Sequence, residues 1–520
     1  MLSFVYVITF SAFLVNQSET ARILAMFPVA SISHQVVFRP LTQELVRRGH
    51  EVTVITPDPA FPKAEAPANL TEIDVHDISY ELWNSIFLDT RKDNKGDVIF
   101  AIKKIYEAIT AIVDAQFQDE RVRNIIDDKS KQFDLILVEA MVRPTLVLSN
   151  IFKAPLIQIS SFGGVIDTYE NMGASIHPFL YPSITRQRLH NLTLLEKIKE
   201  LYSYYQINRI YKNNEVNENK VLRKNFGDQV PTIAELKNNV DMLFININPI
   251  FEGIRPVPPS VIYMGGLHQK PNKDLPAELQ SYLDSSKTGV IYISFGSNVD
   301  PTLLPADRIE VLVKTLSQMP YDVLWKWNGD VLPGRTDNIR IAKWLPQQDL
   351  LRHPKIKLFI TQAGLQSTDE AISGGVPMIA FPMFADQPYN AEKYEFFKIG
   401  IKLNLDKLTV EQFTGVIKTV IEDKSYKKNV EKLRSVMYDQ PQSPLERAVW
   451  WTEHVLRHGG ARHLRGPAAN MSWVEYLELE LVFTVLLGLF VILLVLVYII
   501  RVIVKAIFSS IVSTPKVKKN

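Results

Sequence analysis

His34 stands in the polar stretch SISHQ, after the apolar segment ARILAMFPV and at the head of VVFRPLTQELVRRG. An imidazole at the start of a helix serves as a general base near neutral pH, or is an ordinary capping or solvated histidine. Glu139 bears on that choice, because it closes the apolar run FDLILVE, where an ionised carboxylate is unexpected unless it is paired or functional. Held against His34, it would orient one ring nitrogen and stabilise the imidazolium formed when the other takes a proton.

A second constellation lies between Trp344 and Asn390. The apolar run from Ile356 to Thr361 ends in small residues, and Gln366, Ser367 and Thr368 then open a helix whose free N–H groups and hydroxyls suit a diphosphate. Glu370, Asp386 and Gln387 offer carboxylate and amide oxygens to sugar hydroxyls. Trp344 and Gln347 are placed to stack on a base and bond its edge, although a tryptophan taken alone reads as core. Ser297 follows the run GVIYISF and Gly296, where backbone either approaches a phosphate closely or simply turns. Together these residue types read as a nucleotide-sugar site. The chain has neither G-x-G-x-x-G nor G-x-x-x-x-G-K-[ST], and no clustered His and carboxylate set for a metal. Diphosphate charge must then be met by helix ends, hydroxyls and amides, with no metal or cofactor expected.

The elements around these residues follow from periodicity. A strand, a helix and a strand over ARILAMFPV, VVFRPLTQELVRRG and EVTVITP form a βαβ unit, and FDLILVE, PTLVLSNIF and APLIQISS repeat it, which predicts a parallel sheet over residues 21–245. Long helical stretches run from about Glu81 to Asp127 and from Leu194 to Lys224, their apolar faces read as core. The proline-dense stretch NPIFEGIRPVPPS, within a connector over 246–260, is expected to be neither regular helix nor central strand. A second α/β unit is expected over 261–440, then helices and a membrane-proximal segment over 441–480, including the amphipathic PLERAVWWTEHVLRHGG. Open parallel sheets bind ligands beyond the carboxyl ends of their strands, which is where His34 and Ser297 fall.

With 520 residues, one ordinary core is excluded. A net charge of +2 gives no field for nucleic acid, and the absence of cysteine removes disulfides, zinc thiolates and a thiol nucleophile. The apolar stretch from Leu2 to Val15, followed by NQSETA, reads as a signal peptide over 1–20. From Leu481 to Ile500 the chain is an uninterrupted 20-residue apolar run, the length of a bilayer-spanning helix. Arg501, Lys505, Lys516, Lys518 and Lys519 follow it with no acid, which places the tail 501–520 in the cytosol and the body in the lumen. Asn69, Asn191 and Asn470 head glycosylation sequons. Lys516 and Lys518 have the spacing of a dilysine retrieval signal, or belong to a basic stop-transfer flank. The expected location is the endoplasmic reticulum membrane, single-pass and type I.

SISH, MGGLH at Met264 to His268, SFGS at Ser294 to Ser297, the W-x-P-Q signature, DQP at Asp386 to Pro388 and RAVWWTEHVLRH span essentially the mature chain. In these motifs it resembles the UDP-glycosyltransferases, the membrane-bound animal branch that includes the UDP-glucuronosyltransferases. The resemblance implies a GT-B fold of two Rossmann-like domains facing a cleft, with the UDP-sugar donor in the C-terminal domain and a small lipophilic acceptor in the N-terminal one. Homo-oligomerisation stays open. It further implies His34 as the catalytic base, with Glu139 where the family usually has Asp. Ser297, Trp344, Gln347, Gly364, Gln366, Ser367 and Glu370 match donor-nucleotide positions, and Asp386 with Gln387 the sugar-contacting pair.

Two departures stand out. Where the family reads His-Gly-Gly, this chain has Gln362, Ala363 and Gly364; an amide donates to phosphate but carries no charge, so leaving-group stabilisation there should weaken. Similar glutamine-bearing signatures occur among insect members. Glucuronosyl-transferring vertebrate members carry an arginine whose best match here is Asn246, which has no charged fork for a sugar carboxylate. The expectation is inverting transfer of a hexose from UDP-glucose, in preference to UDP-glucuronate, to a hydroxyl. The alternative, from Gln362, Ala363 and Glu139, is a catalytically weak membrane-anchored binder of lipophilic molecules.

Overall fold

The computed structural model describes residues 20–93, 98–186, 188–297 and 299–512. The leader from Leu2 to Val15 and the lysines Lys516 and Lys518 lie outside the described residues. Short aliphatic runs form strands that are buried on both faces, as parallel sheets require. The first seven, Arg22–Met26 (β1), Glu51–Thr56 (β2), Leu70–Asp74 (β3), Leu135–Glu139 (β4), Leu156–Ser160 (β5), Val240–Ile245 (β6) and Val261–Tyr263 (β7), make one sheet in the order β3-β2-β1-β4-β5-β6-β7. Six more, Val290–Ser294 (β8), Asp322–Lys326 (β9), Ile339–Ala342 (β10), Ile356–Thr361 (β11), Met378–Ala380 (β12) and Gly400–Lys402 (β13), make a second in the order β10-β9-β8-β11-β12-β13. Every pairing is parallel.

Both sheets reverse direction at one place, beside β1 and β4 in the first and beside β8 and β11 in the second. A crevice opens at such a switch point, because the connections on its two sides leave toward opposite faces. In the first half, helix α1 (Ile32–Arg47) follows β1, while α2 (His76–Asp93) packs on α3 (Val98–Gln118) and α3 on the 33-residue α4 (Leu194–Phe226), with Ile109, Val113, Phe117 and Leu222 sharing a core with Leu24, Met26, Ile136 and Val138 of the sheet. In the second, α5 (Leu365–Gly374) follows β11 and α6 (Gln387–Phe396) follows β12.

Some elements depart from the sequence reading. Val261–Tyr263, expected to open the second unit, pairs with β6 and is the edge strand of the first sheet. Pro249–Glu252, within the connector expected to lack helix, forms a single turn capped by the Asn248 side chain on the Ile250 N–H. Proline at the first helical position lacks only an N–H that would go unpaired, so it favours such a turn. Helix α7 (Pro444–His458) returns to the first half, where Ala448, Val449 and Val455 share a core with Val37, Phe38 and Leu41 of α1. Arg48 after α1 bonds Glu453 on α7 at 3.0 Å.

Residues 468–520 form a separate unit. Its α8 (Leu479–Val512) is long and apolar enough to cross a membrane, with mean hydropathy 3.1 over its most apolar 18-residue stretch. The helix continues past Ile500, so Arg501 and Lys505, expected in the tail, lie within it.

Candidate active site

At the first switch point the loop after β1 turns into α1 with Ser31 at the N-cap, and His34 sits in the helix's first turn. Glu139 ends β4, the neighbouring strand, and is almost fully buried. Its Oε1 lies 2.6 Å from His34 Nδ1, and its Oε2 accepts the Val29 N–H at 3.2 Å. The carboxylate is thus fixed from the backbone side and takes a proton from Nδ1, which leaves Nε2 as the basic nitrogen. The longer glutamate spans the gap without difficulty. The edge of Phe162 lies against the imidazole, ring centres 5.5 Å apart.

At the second switch point β8 runs on into a turn at Gly296, and Gln362 follows the last residue of β11. Gly296 has φ +76, and a β-carbon there would come within 2.2 Å of Gln362 Nε2, so only glycine admits the amide. Gln362 Oε1 accepts the Thr361 hydroxyl at 3.1 Å. Ala363 is held at φ +67, the left-handed region, fully buried, with its carbonyl accepting Asn390 Nδ2 at 2.9 Å. Gly364 caps α5, which begins at Leu365 with no side-chain cap, so its first-turn N–H groups face the cleft mouth. Ser297 lines the same cleft.

Gln347 ties three side chains together. Its Oε1 accepts the Tyr292 hydroxyl at 3.0 Å, and its Nε2 donates to Ser367 Oγ at 2.9 Å and Glu370 Oε2 at 2.7 Å. Burial pushes the Glu370 carboxyl up to about 7 against the Gln347 hydrogen bond. Trp344 is 75% exposed, which overturns the reading of it as core; its ring is open, with Lys326 Nζ 5.4 Å from its centre. Gln387 accepts the Met383 and Phe384 N–H groups through Oε1 at 2.9 and 3.1 Å, which fixes the orientation of its amide. Burial raises the Asp386 carboxyl, opposed by the 2.8 Å bond from Asn390 and by the nearby His34. Asp386 and His34 both line the cleft although they belong to different halves.

The cleft between the halves has a volume of about 510 Å³. Trp83, Ile105, Met141 and Phe162 give the end beside His34 an apolar lining. Gln366 lines the cleft too, but its amide donates across it to the carbonyls of Ser161 at 3.0 Å and Ser33 at 3.3 Å. It acts as a strut between the halves. His268, quoted in the MGGLH motif without a role, is buried beneath it, and its Nε2–H donates to the Gln366 carbonyl at 3.3 Å; burial lowers its pKa to about 4, so the ring is neutral. Lys326, which the sequence reading passed over, donates to the Gly296 carbonyl at 2.8 Å and so braces the turn before Ser297.

Asn246 is a correction. It is fully buried away from the cleft, its Nδ2 donating to the Ser161 carbonyl at 3.1 Å and its Oδ1 accepting the Leu267 N–H at 3.2 Å. It ties two loops together and has no polar atom left for a sugar. The Asn69 amide bonds the carbonyls of Val46 and His50, both at 2.8 Å, and a glycan on Nδ2 would replace one of the two hydrogens that make these bonds. Asn191 and Asn470 are exposed. Among the described residues no group of three or more His, Asp and Glu side chains is placed to hold a metal ion.

Residues 22–518 match the model of the family described as UDP-glucoronosyl and UDP-glucosyl transferase. The chain is 35% identical over 504 residues to the ecdysteroid UDP-glucosyltransferase of Spodoptera littoralis nuclear polyhedrosis virus, covering 93% of this chain and 97% of that protein. It is 32% identical over 511 residues to UDP-glucosyltransferase 2 of Dactylopius coccus, covering 98% of each. Among solved structures it is similar to a UDP-glucose: anthocyanidin 3-O-glucosyltransferase in complex with UDP, at TM-score 0.58 and 16% identity, over 85% of this chain and all of that one. That likeness shows the two-domain GT-B fold.

Proposed function

The chain belongs to the UDP-glucoronosyl and UDP-glucosyl transferase family and is a UDP-sugar glycosyltransferase; from that premise we propose that it moves glucose from UDP-glucose to a hydroxyl of a small lipophilic acceptor, with His34 as base. The observation that carries this reading is the 2.6 Å bond between His34 Nδ1 and Glu139, in a cleft that Asp386 and the start of α5 also line.

An acceptor seated against Trp83, Ile105, Met141 and Phe162 gives its hydroxyl proton to His34 Nε2 as its oxygen attacks C1 of the sugar. The bond from C1 to the diphosphate oxygen breaks, and attack from the side opposite the leaving group inverts the anomeric carbon. Positive charge on the imidazolium is met by Glu139. Negative charge on UDP is met by the N–H groups opening α5, by Ser297 and by the Gln362 amide, all preorganised. Trp344 stacks on the base, Glu370 with Ser367 and Gln347 holds the ribose side, and Asp386 with Gln387 takes sugar hydroxyls.

Glucose is favoured because several relatives carry UDP-glucosyltransferase in their names. We also read α8 as a membrane span with Arg501 and Lys505 toward the cytosol. The test is UDP release from UDP-glucose and from UDP-glucuronate over a panel of phenolic and steroidal alcohols, with the product anomer assigned by NMR. The proposal expects β-glucosides from the α-linked donor; faster turnover with UDP-glucuronate, or retention, overturns it.

A further inference from the structure

Two acids stand side by side on α5 and line different cavities. Glu370 lines the cleft, whereas Asp369 lines a second cavity of about 270 Å³. Asn248 and Gly265, which follow β6 and β7 at the end of the first sheet, form one wall of it; the stretch from Met437 to Pro444, which leads from the second half back into α7, forms another. The cavity thus lies where the chain crosses between the halves in both directions.

Asp369 is 1% exposed, yet among the described residues neither of its carboxylate oxygens has a hydrogen-bond partner. A carboxylate taken out of water needs a partner or loses its charge. The donors around it are committed elsewhere. The amides of Asn248 and Gln440 both donate to the Met437 carbonyl. The Tyr438 hydroxyl accepts Gln269 Nε2 at 2.7 Å and donates to the backbone carbonyl of Asp369, not to its carboxylate, at 3.4 Å. The Gly266 N–H bears on the carboxylate without bonding it, and the charged side chain whose field reaches it, Glu370, has the same sign. Burial, with Glu370 adding to it, pushes the carboxyl up to about 8.

The charge of this acid is therefore balanced from inside the cavity. Gln442 is exposed and Tyr438 partly so, which leaves an entry from solvent on their side. A proton is a weak competitor there: with the carboxyl at about 8, about one chain in ten already carries it ionised at pH 7, so a cation has to displace the proton against only a tenfold preference. One carboxylate among neutral oxygens matches one positive charge, and among the described residues no further His, Asp or Glu joins it to make a divalent metal site. We propose that the cavity binds a small monovalent cation, of the size and charge of potassium or ammonium, with Asp369 as its counter-charge and neutral oxygens of the lining and water around it. So placed, the ion ties α5 to both crossings of the chain and stabilises the halves against each other.

The test follows thermal unfolding of the full chain in detergent at neutral pH and constant ionic strength, with potassium or ammonium chloride replacing choline chloride. The midpoint should rise by about 2 °C at ten times the half-saturating concentration, equally for the two ions, and Asp369→Asn, which is neutral and of the same shape, should remove the response. Thallium(I), a potassium mimic, reads the site in the unaltered chain: its magnetic resonance should shift on binding and recover when potassium or ammonium, but not choline, is added. The same rise in Asp369→Asn means a general salt effect and overturns the site. A rise with calcium and none with potassium overturns its monovalent character. No rise together with an unshifted thallium resonance means a protonated acid and water alone, and refutes the proposal whether or not the variant folds.

Discussion

The two switch points are built alike and equipped differently. In the first sheet the carboxyl ends of β1 and β4 bring together an acid–imidazole pair, His34 in the first turn of α1 and Glu139 at the end of β4, joined by one short bond and backed by a backbone N–H. In the second, the loops after β8 and β11 hold no such pair: glycine turns, an amide, hydroxyls and a helix end form a largely neutral cradle, and its one titrating member near neutral pH, Glu370, is tied to Gln347. Identical topology supplies a crevice in both cases, and the side chains alone set what each crevice can do. On the proposed mechanism, substitutions in the His34–Glu139 pair should change turnover and spare UDP affinity, and substitution of Trp344 in the second half should do the reverse.

The largest effect is expected from Glu139→Gln. It keeps the shape beside Nδ1 but removes the charge that balances the imidazolium, and turnover should fall about 10²–10⁴-fold while UDP binding by calorimetry stays unchanged. Trp344→Ala should weaken UDP binding by about 1–3 kcal/mol, with turnover at saturating donor little altered; a matching loss of saturated turnover would break the division of labour. A pH series sharpens it next. Glu370 is about half ionised near pH 7, and its charged form is the better acceptor for ribose hydroxyls, so UDP affinity should weaken as pH falls through 7 and Glu370→Gln should flatten that slope. Its raised pKa also means that between 4.5 and about 7 the folded chain keeps a proton the unfolded chain has lost. Stability should then fall as pH rises through that window, and urea titrations should show a shallower fall in Glu370→Gln. The smallest effect is at Ala363, where a β-carbon sits at φ +67. Ala363→Gly should stabilise the fold by about 1 kcal/mol in urea unfolding with little change in rate.

Much of this was legible in the sequence because it is local. A strand ending in a polar residue, followed by a helix-spaced run, places His34, Glu139, Ser297 and the start of α5 at sheet edges by periodicity alone. What escaped is non-local. That Val261–Tyr263 joins the first sheet depends on β6, and that α7 returns to pack on α1 depends on residues four hundred positions away. Gln366 has the same local surroundings as its neighbours, yet its amide reaches carbonyls in the other half. Asn246 follows a buried strand as a functional residue might, and only the packed loops around it show that both ends of its amide are consumed. A buried polar group must find partners, but a sequence does not say which.

The division between the halves is tested most directly by measuring UDP affinity and single-turnover transfer side by side in His34→Ala. Unchanged UDP binding with transfer reduced by about 10²-fold or more is the predicted result. Retained transfer, or UDP affinity lost in step with transfer, would contradict the assignment of proton transfer to the first half alone.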